Sequence, residues 1–227
     1  MATSPDAATP SPTGPTVPSA DVVGVVLCGG ASRRMGRDKA LIELDGHALA
    51  ARVADALRSA GATRVLAIGG DAGALRELGL EPVPDRWPGG GPLGGLATAL
   101  TEVARDAPAV PVASGSRRAL VAPCDLIAPD PATFRGLLAA LDDGWVEADL
   151  VDGPGTPDAT IATVDGRAQW VVGAWRATPA LAEALADRYR AGDRRLATAG
   201  EVARWRPVAV PAVAVADADR PADLPPT

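Results

Sequence analysis

Four cations, Arg33, Arg34, Arg37 and Lys39, follow the glycine pair Gly29-Gly30 in a chain whose formal charge is -6. The apolar run VVGVVL, residues 22–27, stands directly before the glycines. Glycine at a strand end admits positive φ and lets a ligand approach the backbone closely. Consecutive exposed N–H groups in such a turn form a concave anion site. Ligands of open α/β sheets gather outside the carboxyl ends of the strands. Cations placed there neutralise a polyphosphate, whereas a bare basic loop is merely solvated. The coincidence of strand, glycines and cations points to the phosphate site.

The spacing excludes two common phosphate loops. Walker A needs two glycines separated by four residues, then Lys and Ser or Thr. Here Gly30, Gly36 and Lys39 stand at other intervals. Gly89-Gly90-Gly91-Pro92-Leu93-Gly94 satisfies G-x-G-x-x-G, but it follows Asp85-Arg86-Trp87-Pro88 and not a strand. The dinucleotide fingerprint requires that strand, so this match is accidental.

A carboxylate at a strand end is the second candidate for chemistry. Asp125 closes the run ALVAPCD, and hard cations select carboxylate oxygens. Asp at such a place can also cap the next helix. Leu126 to Pro129 separate it from the helix that starts near Asp130, so Asp130 is the better cap. The ligands Cys28, Cys124 and His47 are too few for a four-ligand Cys/His zinc site. Any metal is therefore held by carboxylates, phosphates and water, which describes Mg2+. Cys124 is expected to be a small buried residue. The two cysteines are expected to be reduced thiols, and His47 is expected in a surface turn.

The elements that must position these groups alternate. VVGVVL, RVLAIGG, EPVP and ALVAPCD read as strands. Between them, residues 48–61, 72–79 and 91–106 read as helices, the first closed by Gly61, and DPATFRGLLAALDDG follows as another. Turns are expected at Asp45-Gly46 and at Asp165-Gly166, the latter joining two extended segments as a hairpin. Residues 107–118 read as a surface loop, TPALAEALADRYRAG and RRLATAGEVARW as helices, and RPVAVPAVAV as a last extended run. The fold class is thus α/β, a mainly parallel sheet with helices on both faces and a small antiparallel extension.

Composition sets further limits. Hydrophobic residues are 47% but aromatics only 3%, so the core must be built from Ala, Val and Leu. The acidic balance argues against nucleic-acid binding. No run is long enough for a membrane span. Residues 1–20, rich in Pro, Ser, Thr and Ala, lack the pattern of an export signal. They are expected to form a disordered arm before a single domain over 21–227, in a cytoplasmic protein.

The segment Leu27-Cys28-Gly29-Gly30-Ala31-Ser32-Arg33-Arg34-Met35-Gly36-Arg37-Asp38-Lys39 resembles the L-x-G-G…R-M-G…K signature of the MobA-like nucleotidyltransferases. Asp85 with Gly91-Pro92-Leu93-Gly94-Gly95 resembles that family's Asp and G-P-L-x-G segment, and Pro123-Cys124-Asp125 its C-D motif. Gln169-Trp170 with Gly173-Ala174-Trp175-Arg176, and the closing run 217–224, are also similar. The resemblance implies a three-layer, Rossmann-like nucleotidyltransferase fold. It implies transfer of a nucleoside monophosphate from an NTP to a phosphorylated acceptor, with release of pyrophosphate. For the guanylyltransferases of the family, the donor is GTP and the acceptor is the phosphate of molybdenum-bound molybdopterin.

By that resemblance, Leu27, Cys28, Gly29, Gly30, Lys39, Asp85 and Asp125 bind the nucleotide. Lys39 and Arg33 are the catalytic cations, and Asp125 and Asp219 are the Mg2+ ligands. Asp219 is equally suited to start a turn before Pro221. Trp170 and Trp175 either line a pocket for a flat pterin or belong to the core. The expected partners are GTP, a molybdopterin-type acceptor and, transiently, cofactor-handling proteins, with no nucleic acid and no membrane. Three readings stay open: the guanylyltransferase, a cytidylyltransferase or other NTP transferase with a different phosphorylated acceptor, and a nucleotide-binding regulator without turnover.

Overall fold

A computed structural model describes residues 22–29, 38–105, 117–143, 156–218 and 223. The anticipated arm and most of the 107–118 loop lie outside them. The first strand, β1 (Val22–Leu27), is the hydrophobic run that precedes the glycines. A hairpin of β2 (Glu43–Leu44) and β3 (His47–Ala48) turns at Asp45 and Gly46, with φ of 54° and 75°. Two successive positive φ values are what a type I′ turn requires, which is why Asp-Gly signals it. His47 is exposed, on β3 immediately after the turn.

The remaining elements alternate as expected. They are α1 (Leu49–Ser59), β4 (Arg64–Ile68), α2 (Ala72–Glu77), β5 (Glu81–Val83), α3 (Gly91–Arg105), β6 (Arg117–Pro123) and α4 (Pro131–Asp142), then β7 (Ala159–Val164), β8 (Arg167–Ala177), α5 (Pro179–Arg190) and β9 (Trp205–Ala209). Asp130 caps α4, its carboxylate accepting from the Ala132 and Thr133 amides. The first of these bonds, more than any other contact, holds its pKa below the usual value.

The sheet order is β5-β4-β1-β6-β8-β7-β9. Only β8 runs against the rest, since β6 and β7 both pair with it antiparallel while β7 and β9 pair parallel. The antiparallel extension is therefore one strand wide. Alternation along β1 makes three layers. Val22 and Val26 join the side packed with α1 and α4, and Val23 and Val25 join the side packed with α3 and α5.

Three boundaries differ from the sequence reading. Arg117 and Arg118 belong to β6 and not to the preceding loop, because strand pairing with β1 and β8 reaches them. The anticipated helix RRLATAGEVARW is only a 3-10 turn, Leu196–Glu201, and Trp205 starts β9. Pairing with β7 claims Trp205, and Gly200 is pressed beneath two indoles: an added Cβ there would lie 2.6 Å from Trp170 and 3.1 Å from Trp205. The last extended run stops at Ala209, and after Pro211 a 3-10 turn, Ala212–Val215, begins. Trp175 is completely buried and belongs to the core, while half-buried Trp170 packs on Trp205 with ring centroids 4.8 Å apart.

Gly24 interrupts the valines of β1 for a packing reason. A Cβ there would lie 3.0 Å from Val65 Cγ2 and 3.2 Å from Leu57 Cβ of α1. Gly24→Val should therefore force α1 off the sheet and cost about 1–3 kcal/mol in urea denaturation, the usual range for overpacking a core. Unchanged stability would show that this contact yields freely.

Candidate functional site

The site forms where β1, β4, β5 and β6 end together. Cys28 N–H donates to Ile68 O at 2.9 Å, Gly69 N–H to Val83 O at 3.0 Å and Cys124 N–H to Leu27 O at 3.2 Å. Four chain turns are thus stitched into one rim. Gly69 and Gly70 leave β4 with φ of 76° and 75°. A Cβ on Gly69 would sit 3.0 Å from Gly29 Cα, so two backbones touch where no side chain fits. Gly29 itself is exposed, its backbone open to a ligand.

Lys39 and Asp125, 86 residues apart, meet here: Lys39 Nζ donates to Asp125 Oδ2 at 2.8 Å. Both side chains are largely sheltered, at 17% and 12% exposure, so water screens the pair only partly. Local structure holds Lys39 in place. Asp38 caps the 3-10 turn Lys39–Leu41, its Oδ1 accepting from Ala40 N–H at 3.0 Å, and Ala40 is fully buried. On the other side, Asp125 is fixed by the returning C-terminal segment. Ala218 N–H donates to Asp125 O, Ile127 N–H to Ala216 O, and Leu126 bridges Asp217.

Asp85 approaches Gly29 from the β5 side. Its Oδ1 accepts from Trp87 N–H at 3.0 Å and from Thr98 Oγ1 at 3.1 Å. Its Oδ2 lies 3.4 Å from where a Gly29 Cβ would be. Leu27, Cys28, Gly29, Lys39, Asp85 and Asp125 therefore all stand at this rim. Gly30, Arg33 and Asp219 lie outside the described residues. Sequence reasoning missed Asp38 and Thr98. The cap pattern of an Asp just before Lys39 could have signalled the first, whereas nothing local signals a helix threonine that reaches a loop.

Both cysteines are buried free thiols. Cys28 donates to Val26 O at 3.7 Å and neighbours Cys124. The contact with Cys124, then burial, then the negative charges nearby, among them Asp38 and Asp125, push the Cys28 thiol well above its ordinary pKa. A thiol so held stays protonated and makes a poor nucleophile.

The donor set tests the metal. Among the described residues, no group of three or more His, Cys, Asp or Glu could hold an ion. A protein-only cage is thus not built from them. Mg2+ is commonly held through one or two carboxylates, with substrate phosphates and water completing the shell, and Asp125 fits that arrangement.

A family model described as the MobA-like NTP transferase domain matches residues 24–206. The chain belongs to this family. A Pelotomaculum thermopropionicum protein named "Probable molybdenum cofactor guanylyltransferase" is 40% identical over 113 residues, 49% of each chain. A Rhizobium meliloti molybdenum cofactor guanylyltransferase is 37% identical over 102 residues, 44% of each chain. The chain thus spans about half the length of these curated relatives (49% and 44%). The crystal structure of molybdopterin-guanine dinucleotide biosynthesis protein A from Archaeoglobus fulgidus superposes with a TM-score of 0.62 at 19% identity, covering 89% of this chain and 94% of that one. That likeness shows a shared nucleotidyltransferase fold. No helix among the described residues is long and apolar enough to cross a membrane.

Native Cys28 should resist iodoacetamide at mildly alkaline pH and react once the chain is unfolded, as read by mass spectrometry. The folded state keeps its proton where the unfolded thiol, with a pKa of about 8.5, releases it. Stability should therefore be unaffected below that pH and decline above it. Cys28→Ala should flatten the alkaline decline in the melting temperature, and an identical decline in the variant would contradict the assignment.

Proposed function

We propose that the protein is a guanylyltransferase of molybdenum cofactor synthesis. It transfers GMP from GTP to the phosphate of molybdenum-bound molybdopterin and releases pyrophosphate. The observation that carries this reading is the sheltered Lys39–Asp125 pair at the strand-end rim of a MobA-like domain. The names of the relatives support the donor and the acceptor.

Transfer of this kind asks a protein chiefly for positioning and charge neutralisation. The open backbone at Gly29 receives the polyphosphate, and Asp85 faces the same turn from the opposite side. Lys39 brings its ammonium to the phosphates and the departing pyrophosphate, with Arg33 as a second cation. Asp125, with Asp219 as the further ligand, would hold Mg2+. When bound, Mg2+ supplies electrophilic charge and a template for the phosphates. The acceptor phosphate is already a nucleophilic anion, so no side chain need act as general base. A regulator that only bound nucleotide would have no use for a cation and a metal-ligating carboxylate held together at the phosphates. Such a reaction suits a cytoplasmic enzyme.

A second reading changes the base. Asp71, which follows Gly69-Gly70, uses its Oδ1 to accept from Ala74 N–H and cap α2, so it is committed to the fold and not offered to a guanine. A cytidylyltransferase with the same phosphate site is the alternative. The discriminating test is a thermal-shift panel of GTP, CTP, ATP and UTP with Mg2+, because a ligand of the folded state raises the melting temperature by mass action. A shift with GTP alone is expected, a shift with CTP alone selects the second reading, and no shift with any NTP rejects both.

Lys39→Ala should keep its circular dichroism spectrum but lose at least about a hundredfold in turnover, as when one charge-stabilising donor is removed from an active site. Full activity would remove Lys39 from the chemistry. Asp125→Asn, or EDTA, should abolish pyrophosphate release, and EDTA-insensitive release would remove the metal.

A further inference from the structure

We propose that Thr98 is a positioning residue for the nucleotide, acting through Asp85. This rests on the reading of Asp85 as a nucleotide contact. Thr98 lies in the middle of α3 and is fully buried. A threonine hydroxyl inside a helix ordinarily bonds back to the carbonyl four residues earlier. Thr101, one turn on, does so, donating to Ala97 O at 2.7 Å. The Thr98 hydroxyl points out of its helix instead. It accepts from Arg86 N–H at 3.3 Å and donates to Asp85 Oδ1 at 3.1 Å.

The direction of these bonds is forced. An amide N–H can only donate, so the hydroxyl must accept from Arg86, and its single proton is directed to the carboxylate. Trp87 N–H reaches the same Oδ1 at 3.0 Å. Two donors on one oxygen fix the plane of the carboxylate and direct Oδ2 toward Gly29. A rigid helix thereby sets the aim of a side chain carried by a loop, and preorganised polar groups of this kind gain affinity by avoiding reorientation on binding. Neither Asp85 nor the phosphate turn touches α3 through any comparable side chain among the described hydrogen bonds.

Thr98→Val keeps the shape and removes both bonds, whereas Thr98→Ser keeps the bonds and removes a methyl. In the full chain with GTP and Mg2+, Thr98→Val should raise the half-saturating GTP concentration by about tenfold, the loss typical of a hydrogen bond to a charged group, and Thr98→Ser should restore wild-type binding. In an Asp85→Ala background, Thr98→Val should have no further effect on GTP binding. A purely structural threonine would weaken binding equally in both backgrounds, and that additivity overturns the proposal. Hydrogen exchange supplies a nucleotide-free measurement. The Arg86 and Trp87 amides should lose protection in Thr98→Val and keep it in Thr98→Ser. Unchanged protection in Thr98→Val overturns the positioning role even if GTP binds. Lost protection in a chain that ignores every NTP overturns the nucleotide reading alone.

Discussion

The ion pair between Lys39 and Asp125 is the constraint around which the rim is arranged. One partner follows the first strand and the other ends the fourth strand of the parallel run, so the pair forms only if β1 and β6 lie side by side. The register Leu27↔Pro123 places their ends level. Each charge is sheltered enough that losing its partner would leave a poorly solvated ion. The same closeness makes the pair exchangeable. Under the proposed function, a polyphosphate with its metal would offer each member an equivalent partner, so that a ligand could enter without stranding either charge.

Support for the pair comes from polar groups with other jobs. Asp38 spends one oxygen on capping the turn that carries Lys39. Thr98 and the Trp87 amide hold Asp85 on the far side. The glycines at 69 and 70 contribute by what they lack, since a Cβ there would press on the Gly29 backbone or on Leu75 and Cys28. Contact with Cys124 and burial, ahead of the nearby acids, keep the Cys28 thiol protonated.

Much of this was legible in the sequence because the signals were local. Asp-Gly pairs marked both tight turns, Asp130-Pro131 marked the start of α4, and the valine run, interrupted only by Gly24, marked a doubly covered strand. Errors arose where tertiary pairing outweighed local preference. The alanine-rich stretch before Trp205 has good helix formers, yet β7 draws Trp205 into the sheet and the indoles close over Gly200. At the site, the strand-end residues could be named from motif spacing. The Thr98 contact could not, because it spans 13 residues between a loop and a helix, whereas the Asp38 cap is local and was passed over inside a basic run.

The backbone on either side of the Asp125 carboxylate is latched by residues 216–218. The setting of that carboxylate is therefore completed by residues far downstream, made well after every strand of the central parallel run. During translation the sheet can assemble while the carboxylate still lacks its latch. The setting of Asp125 is complete only once residues 216–218 have been made, and a protease that cut just before them would leave the parallel strands intact and the carboxylate unlatched.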